Sequence, residues 1–599
     1  MYIRKTERHY KGKTYTNHLL VESVVTPKGP RQRTICSLGS LEPAPRQDWL
    51  RLARKLEASL HGQLALEKEA PAVEVESRPR PSSLLTVDTD AVETKDHREA
   101  GPVHVGHQMW RQLGLDEILD RAGFNRRACL LTEAMTLNRL IFPLSERAMP
   151  DWIRRTALGE ILGADFSELQ EDSLYRHLDR LHPNREPIER ELAESEKTLF
   201  GLEETIFLYD LTSTYFEGQA ERNGQAKRGY SRDHRPDCKQ VVVGLVLDGD
   251  GFPKAHEIFE GNRQDRSTVE EMLGVLEKRT GRKPGTMVVV DRGMAYREDL
   301  EQIQAHGMHY LVAGRQTERN AWLAEFESEE GWQDVIRSSS DWNPYQEKTQ
   351  VRVKRMEKEG EVWVLCLSDG RREKDRAIRE KQEARLIGDL EKLRERVGKG
   401  RVRKAGKIHE AIGRLKERYP RVARYYEIDY KVEGKKVFWQ QDAAKKAVAE
   451  KLDGGYVLRT DRPDLTAETL WRTYMLLTRV ESAFRSMKSP LLERPIFHQL
   501  ESRTQTHIFL CILAYHLLAA IEKRFLDRGF HTSWWTLREQ LSTHQVSTIV
   551  LPLSDGRVLN IRKGGSPESI HKKIYEILRI PPVVMKAIRT WQETTRNSD

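Results

Sequence analysis

The order of periodicities between residues 203 and 315 constrains this chain more than any other feature. EETIFLYDLTSTYFEG reads as a β-rich run closed by turn residues, and DCKQVVVGLVLDGDGFPKAHEIFEG as a hairpin whose apolar runs are joined by Gly-Asp-Gly. A helical pattern follows in DRSTVEEMLGVLEKRTG, then a short apolar strand in TMVVVDRGM, a helix in YREDLEQIQAHG and a strand in HYLVAG. Three strands, a helix, a strand, a helix and a strand describe an open mixed sheet with helices, an α/β core.

Further segments surround this core. Residues 1–65 read as short strands followed by a helix, QDWLRLARKLEASLHG, a small α+β module with six more basic than acidic residues in its first 35 and so a candidate for DNA binding. Residues 66–100 read as a linker, because LEKEAPAVEVESRPRPSS is Pro-rich and highly charged. Residues 101–202 carry helical periodicity, with a Ser-x-x-Gln capping start predicted for SELQEDSLYRHLDRLHPN. Such a helical module suits helix-turn-helix DNA binding and plain packing equally. Residues 203–315 form the first part of the core, and residues 316–465 interrupt it with strand-like runs (DVIRSSSDW, KTQVRVKRM, EVWVLCLSDG, YYEIDYKVEGKKVFWQ, DGGYVLRTD) around a basic helical stretch. Residues 466–525 complete the core with one long helix predicted from Ala467 through Met487 and a second helical stretch in RPIFHQLESRTQTHIFLCILAYHLLAAIEKRF. Residues 526–599 form a tail with a small hairpin, STIVLPLSDGRVLNIRK.

Composition narrows the classes. With 599 residues and 38% hydrophobic side chains the chain has ample core, so it is not wholly disordered. Five cysteines without a CxxC or Cys/His spacing indicate neither a zinc site nor a disulfide framework, and a reducing, intracellular setting is expected. No secretory signal is expected, since no apolar run follows the basic N-terminus. The longest apolar stretch, Ile508 to Ala520, is too short to span a bilayer and reads as a core helix. The formal charge of +9 is concentrated: residues 371–424 alone hold 20 Lys/Arg against 9 Asp/Glu. Within them, GKGRVRKAGK carries five basic residues and no acid, which favours Arg401, Arg403 and Lys404 as contacts for a phosphate backbone. The preceding stretch also reads as an ordinary solvated helix of alternating charge.

The acids that suit chemistry are few. Asp210 lies in the strand TIFLYDLTSTY and Asp291 ends TMVVVDRG. Residues at adjacent strand ends converge on one rim of an open α/β sheet, and two close carboxylates repel unless a cation lies between them. A hard divalent ion such as Mg²⁺ or Mn²⁺ fits, although each aspartate alone reads equally as a turn or cap. In ETLWRTYMLLTRVESAFRSMKSP, Tyr474, Glu481 and Lys488 are spaced by seven and share one helical stripe, with Arg485 four beyond Glu481. The bland alternative is a solvated face with a Glu481–Arg485 pair. Asn262 and Asp265 border the site or form a turn. His507 and His516 read as core, as do most of Trp332, Trp342, Trp363 and Trp439, which otherwise could stack on an unpaired base.

Taken together, a strand Asp, an Asp closing VVVDRG, a long insertion and a helical Glu followed by Lys resemble the DDE transposases of bacterial insertion sequences, most closely the IS-four type with a β-rich insertion. YDLTSTYFEG, GYSRDHRPDCKQVVVGL, FEGNRQDRSTV and KSPLLERPIFH extend the resemblance over most of residues 200–520. That family's helix carries Tyr, Arg, Glu and Lys at set spacings; Tyr474, Glu481 and Lys488 match, while Leu477 stands at the Arg position, with Arg485 or Arg479 as substitutes. The resemblance implies an RNase H-like core with Asp210, Asp291 and Glu481 as catalytic and metal-binding triad, and Tyr474, Arg485 and Lys488 on DNA phosphates. It further implies two Mg²⁺ or Mn²⁺ ions and a cytoplasmic, nucleoid-associated homodimer that synapses terminal inverted repeats for cut-and-paste transposition into target DNA. Two alternatives keep the fold: an RNase H-like nuclease without strand transfer, and a non-enzymatic DNA-binding derivative.

Overall fold

The computed structural model describes residues 2–10, 13–26, 29–39, 85–337 and 349–593. The helix expected at QDWLRLARKLEASLHG, the linker stretch LEKEAPAVEVESRPRPSS and Trp342 lie outside the described residues. The chain divides into two compact units, Met1–Thr86 and Val87–Asp599. In the first, β1 (Tyr2–Tyr10), β2 (Lys13–Thr26) and β3 (Gly29–Gly39) form an antiparallel meander.

The second unit opens with β4 (Glu93–Glu99), which the charge pattern placed in a linker. It pairs with β16 (Gln545–Pro552) of the expected C-terminal hairpin, so that hairpin belongs to a four-stranded sheet. Helices α1 (Arg126–Ile141), α2 (Glu171–Leu181) and α3 (Arg185–Phe200) follow. The predicted Ser-x-x-Gln start is not used. The Ser167 N–H instead donates to Asp165 Oδ1 at 2.9 Å, and α2 begins at Glu171 with no side-chain cap. A local Asx turn has taken the hydrogen bond that a capping box would need.

The core strands are β5 (Ile206–Tyr215), β6 (Gln240–Asp248), β7 (Pro253–Glu260), β8 (Met287–Val290) and β9 (His309–Ala313). β5 to β7 are antiparallel neighbours, and β8 and β9 run parallel to β5, the mixed sheet the periodicity predicts. Part of residues 316–465 joins this sheet. Strands β10 (Gln333–Arg337), β11 (Thr349–Lys358), β12 (Glu361–Ser368) and β15 (Gly455–Thr460) extend it to nine in the order β10-β11-β12-β15-β9-β8-β5-β6-β7. Between β12 and β15, the 30-residue helix α4 (Asp369–Gly398), a returning helix, Ala405–Arg418, and the hairpin of β13 (Tyr426–Lys431) and β14 (Lys436–Gln441) share a separate apolar core that includes Leu386, Leu390, Ile408, Ile412 and Ile428.

The side chains of β5 alternate between two cores. Phe207, Tyr209 and Leu211 pack on one face with Val288 and Val290 of β8, under the helices Val269–Thr280 and Arg297–Ala305. Leu208 and Val289 point to the other face, which is covered by α7 (Glu501–Leu526). By length and composition α7 is apolar enough to cross a membrane, longer than the 13-residue run that suggested otherwise, but its apolar window is wholly buried in the protein.

The single helix predicted from Ala467 through Met487 is two: α5 (Ala467–Met475) and α6 (Thr478–Lys488). Leu476 and Leu477 make a tight turn, with the Arg479 N–H on the Leu476 carbonyl at 2.8 Å and the Val480 N–H on Leu477 at 3.0 Å, three residues back rather than four. No Pro or Gly announces the break. It lets α5 lie over β11 and β12 while α6 lies over β5 and β6.

Near the end of α7 the Glu522 carboxyl is pushed up to about 7 by burial, against a hydrogen bond from the Trp534 backbone. An unfolded glutamate titrates near about 4.3, so the native state holds an extra proton between those values, and stability is lost as pH rises from about 4.5 to about 7. Thermal melts of Glu522→Gln are therefore expected to gain on the parent at pH 8 and to match it at pH 4; an equal difference at both would remove this assignment.

Candidate active site

The parallel register pairs Tyr209 with Val290. One step on, Asp210 continues β5 while Asp291 follows the last residue of β8, so the register brings the two acids to the same end of neighbouring strands. Parity sends both to the face of Leu208 and Val289, where α6 buries Val480, Ala483, Phe484 and Met487 and leaves Glu481 exposed beside them. Asp210, Asp291 and Glu481 line one cleft of about 430 Å³, together with Thr212, Arg232, Asp265, Arg485, Lys488 and Arg494. The expected triad is therefore gathered from three elements. Burial pushes the Asp210 carboxyl up to about 7, a Leu211 N–H at 2.8 Å opposes this, and the charges of Asp291 and Glu481 add to the rise.

Three carboxylates lining one cleft offer only hard oxygen donors and fit a hard divalent cation, which would offset the charge that Asp291 and Glu481 place beside Asp210. Among the described residues, the group of three that brings potential ligand atoms within 4.8 Å of one another is a different one, Glu146, His498 and His507. There the Arg139 guanidinium lies 3.1 Å from His507 Nδ1 and 3.4 Å from Glu146 Oε1, so the positive charge is already supplied and a metal does not fit.

The remaining predicted residues separate. Tyr474, displaced by the helix break, donates to Asp291 Oδ1 at 3.4 Å rather than sharing a stripe with Glu481. Arg485 lines the cleft, and among the described residues neither it nor Glu481 has an ion-pair partner, so the bland Glu481–Arg485 pair is not formed. Lys488 is buried, its Nζ 2.9 Å from Asp233 Oδ1, an oxygen shared with Arg494. Arg479 turns away to the Gly249 carbonyl, so of the two expected substitutes it is Arg485 that lines the cleft, while Leu477 is buried in the core. Arg401, Arg403 and Lys404 are exposed in the turn beyond α4, about 40 Å along that helix from Arg371. Asp265 lines the cleft and holds Arg232 through both carboxylate oxygens at 2.7 and 2.8 Å, whereas Asn262 is exposed outside it. His507 and His516 are buried in α7, and Trp363 is buried between β12 and its neighbours.

Arg232, Asp233 and Arg494 received no role from sequence, although GYSRDHRP carried the first two. Their loop is drawn onto the sheet by close backbone approach. A Cβ on Gly229 would lie 2.1 Å from the Gly261 carbonyl, and one on Gly261 would lie 1.9 Å from the Gln240 carbonyl. The Gln240 side chain ties the strap down by donating to Gly261 O at 2.7 Å and Tyr230 O at 3.1 Å. Glu493, wholly buried, accepts from Thr214 of β5 at 2.6 Å and so fixes the segment after α6 to the strand that carries Asp210.

A transposase DDE domain family matches residues 201–517, and the N-terminal domain of IS1634 family transposases matches residues 3–66. No curated protein matches the chain. Among solved structures, a piggyBac transposase synaptic complex with hairpin DNA is similar at 7% identity over 70% of each chain, with a TM-score of 0.33. A Mos1 transposase paired-end complex with left transposon end is similar at 12% identity over 31% of this chain and 58% of that one, with a TM-score of 0.14.

Proposed function

The chain belongs to the DDE transposase family of insertion sequences, and within that family we propose that Asp210, Asp291 and Glu481 are its catalytic carboxylates on an RNase H-like core. The observation that carries this reading is the shared cleft, lined by one acid each from β5, the end of β8 and α6. The family's reaction is metal-dependent DNA cleavage and strand transfer. We assign the metal to these three side chains and infer two Mg²⁺ or Mn²⁺ ions. Bound there, such ions supply charge stabilisation for the scissile phosphate and activation of the attacking water or 3′-hydroxyl.

The other residues bind and orient. Arg485, exposed at the rim and unpaired among the described residues, presents a planar donor fork to a non-bridging phosphate oxygen. Lys488 and Arg494 hold Asp233 and thereby set the distance between α6 and the 230–235 loop. Tyr474 restrains Asp291 through its hydrogen bond to Oδ1. These contacts position the backbone without reading sequence. A homodimer pairing two terminal inverted repeats in the cytoplasm completes the reading, since two element ends must be joined.

Supercoiled DNA carrying both element ends, incubated with Mg²⁺, is expected to yield end-specific breaks and joined products. Breaks without joining would mark a nuclease, and neither product a binding protein only. The exposed Arg401, Arg403 and Lys404 are proposed as a distal phosphate contact. Replacing all three by Ala is expected to lower the slope of log affinity against log salt by about 2 to 3, leaving cleavage of already bound DNA intact; an unchanged slope would exclude the contact.

A further inference from the structure

Four cationic side chains line the cleft of the three acids, and two of them, Lys488 and Arg494, are drawn onto Asp233. Of the remaining two, Arg485 stands exposed on α6, whereas Arg232 is held by the fold on two sides. Its backbone N–H donates at 2.9 Å to Ser213 Oγ, and Ser213 is a wholly buried residue of β5, three beyond Asp210. Its guanidinium meets Asp265, with Nη2 alone 2.7 and 2.8 Å from the two carboxylate oxygens.

Asp265 is fixed in turn. Its carbonyl accepts from the Thr268 hydroxyl at 2.6 Å, and that hydroxyl accepts at 2.8 Å from Tyr209, the neighbour of Asp210 in β5. Thr268 and Tyr209 are both buried. The Asp265 carboxylate also lies against Gly293, two residues past Asp291, where an added Cβ would come within 3.2 Å of Oδ2. Any side chain there would press on the carboxylate and on the guanidinium it holds. Arg232 of GYSRDHRP and Asp265 of GNRQD therefore meet in one ion pair, tied at two points to the strand that carries Asp210.

The pair is built unlike one that serves packing alone. An arginine and a carboxylate joined for strength use two parallel N–H to oxygen bonds, one from each of two nitrogens. Here a single nitrogen serves both oxygens, so Nε and Nη1 have no partner among the described residues. The side chain is 25% exposed, in the wall of the cleft. Its charge reaches the triad: burial raises the Asp210 carboxyl, and Arg232 is the cation that opposes the rise. A phosphodiester under in-line attack gathers negative charge on its oxygens, and donors fixed beforehand stabilise that charge without reorganising.

We propose that Arg232 is a catalytic residue, donating through Nε and Nη1 to a non-bridging oxygen of the scissile phosphate, and that Asp265 is the positioning residue that holds it there. The proposal rests on the triad reading of the same cleft. In the step it serves, the oxygen of water or of a 3′-hydroxyl bonds to phosphorus as the bond from phosphorus to the departing 3′-oxygen breaks. The nucleophile gives its proton to water and the departing oxygen takes one up, so Arg232 stays charged throughout.

The test is single-turnover cleavage, at saturating protein in Mg²⁺, of a labelled duplex carrying one element end, with affinity for that duplex measured in chelator. Arg232→Ala is expected to lower the rate by about 10²-fold or more while affinity changes by less than about threefold, since a contact that strengthens in the transition state appears in the rate. Guanidinium ion, below denaturing concentration, is expected to restore about tenfold of this loss and none of that in Glu481→Gln. Arg232→Lys keeps the charge without the fork, is expected to stay about tenfold or more below the parent, and carries the test if the alanine variant does not fold. Asp265→Asn is expected to cost about tenfold in rate, and the double variant Arg232→Ala/Asp265→Asn to be no slower than Arg232→Ala alone, the mark of a residue that acts through the arginine.

Arg232→Ala or Arg232→Lys within about threefold of the parent, a rate loss matched by an equal loss of affinity, an alanine variant deaf to guanidinium, or a double variant that multiplies the two losses would each overturn the proposal. The amides of Asp210, Asp291 and Glu481 are run beside these variants. If they are inactive while Arg232→Ala cleaves normally, this assignment falls and the triad stands; normal cleavage by the amides removes the triad and Arg232 with it.

Discussion

Replacing any one of Asp210, Asp291 or Glu481 by its amide is expected to lower cleavage and joining of element ends by about 10³-fold or more, while binding to the same DNA stays within a few-fold. The size follows from what each side chain does. Asp210 of β5, Asp291 just past the end of β8 and Glu481 of α6 line one cleft, so on the proposed assignment an amide would remove a third of the negative charge available to hold a cation there. On the proposed assignment phosphate binding falls to other residues, Arg485 above all, and is expected to be spared. Asp210→Asn also removes the carboxyl whose ionisation burial opposes, so the folded state is not expected to suffer. A gel assay on supercoiled DNA with Mg²⁺, beside a mobility shift in chelator, measures both halves. Near-normal cleavage by any of the three variants would remove that residue from the triad.

The largest effect on stability is expected at Lys254. Its side chain is fully buried, with Nζ 3.3 Å from Asp248 Oδ2 and 3.7 Å from Glu204 Oε1, and Asp248 is itself without exposure. Asp248 Oδ1 meanwhile accepts the N–H groups of Asp250 and Phe252 at 2.9 and 3.0 Å, which shapes the β6–β7 turn. Lys254→Met keeps most of the side-chain volume but leaves that carboxylate in the core without its nearest cation. A loss of about 3–5 kcal/mol in denaturant unfolding is expected. Adding Asp248→Asn should return part of it, because the amide oxygen still accepts both turn N–H groups and no buried charge remains. A single variant within about 1 kcal/mol of the parent would show that the pair is not charged in the fold.

The core was legible because strand alternation and helical spacing are local signals. VVVDRG predicts a buried strand with an acid at its end, and the parallel pairing with YDLTSTY then brings two acids to the same end of neighbouring strands. The break at Leu476–Leu477 was not legible, since two leucines are good helix formers and only the different packing partners of α5 and α6 make the turn worthwhile. Its consequence is chemical: Tyr474 reaches Asp291 instead of standing in line with Glu481 and Lys488. Lys488 likewise read as a free cation, and only the fold brings Asp233, 255 residues earlier, against it.

The basic stretch 371–424 shows the same division. Its net charge is a property of composition, which made nucleic acid a plausible partner while the family resemblance made DNA the expected one. Composition cannot say which of its arginines point where, because a 30-residue helix carries its two ends about 40 Å or more apart. The sequence by itself determined the order of strands and helices, the three acids and the two basic segments, since each is written in residue type and short-range spacing. Which of these meet was decided by tertiary structure alone. Pairing β12 and β15 into the core sheet brings Arg371 and Arg424 to a cavity beside the Asp210–Asp291–Glu481 cleft while leaving Arg401, Arg403 and Lys404 at the distant turn, through contacts between segments far apart in the chain.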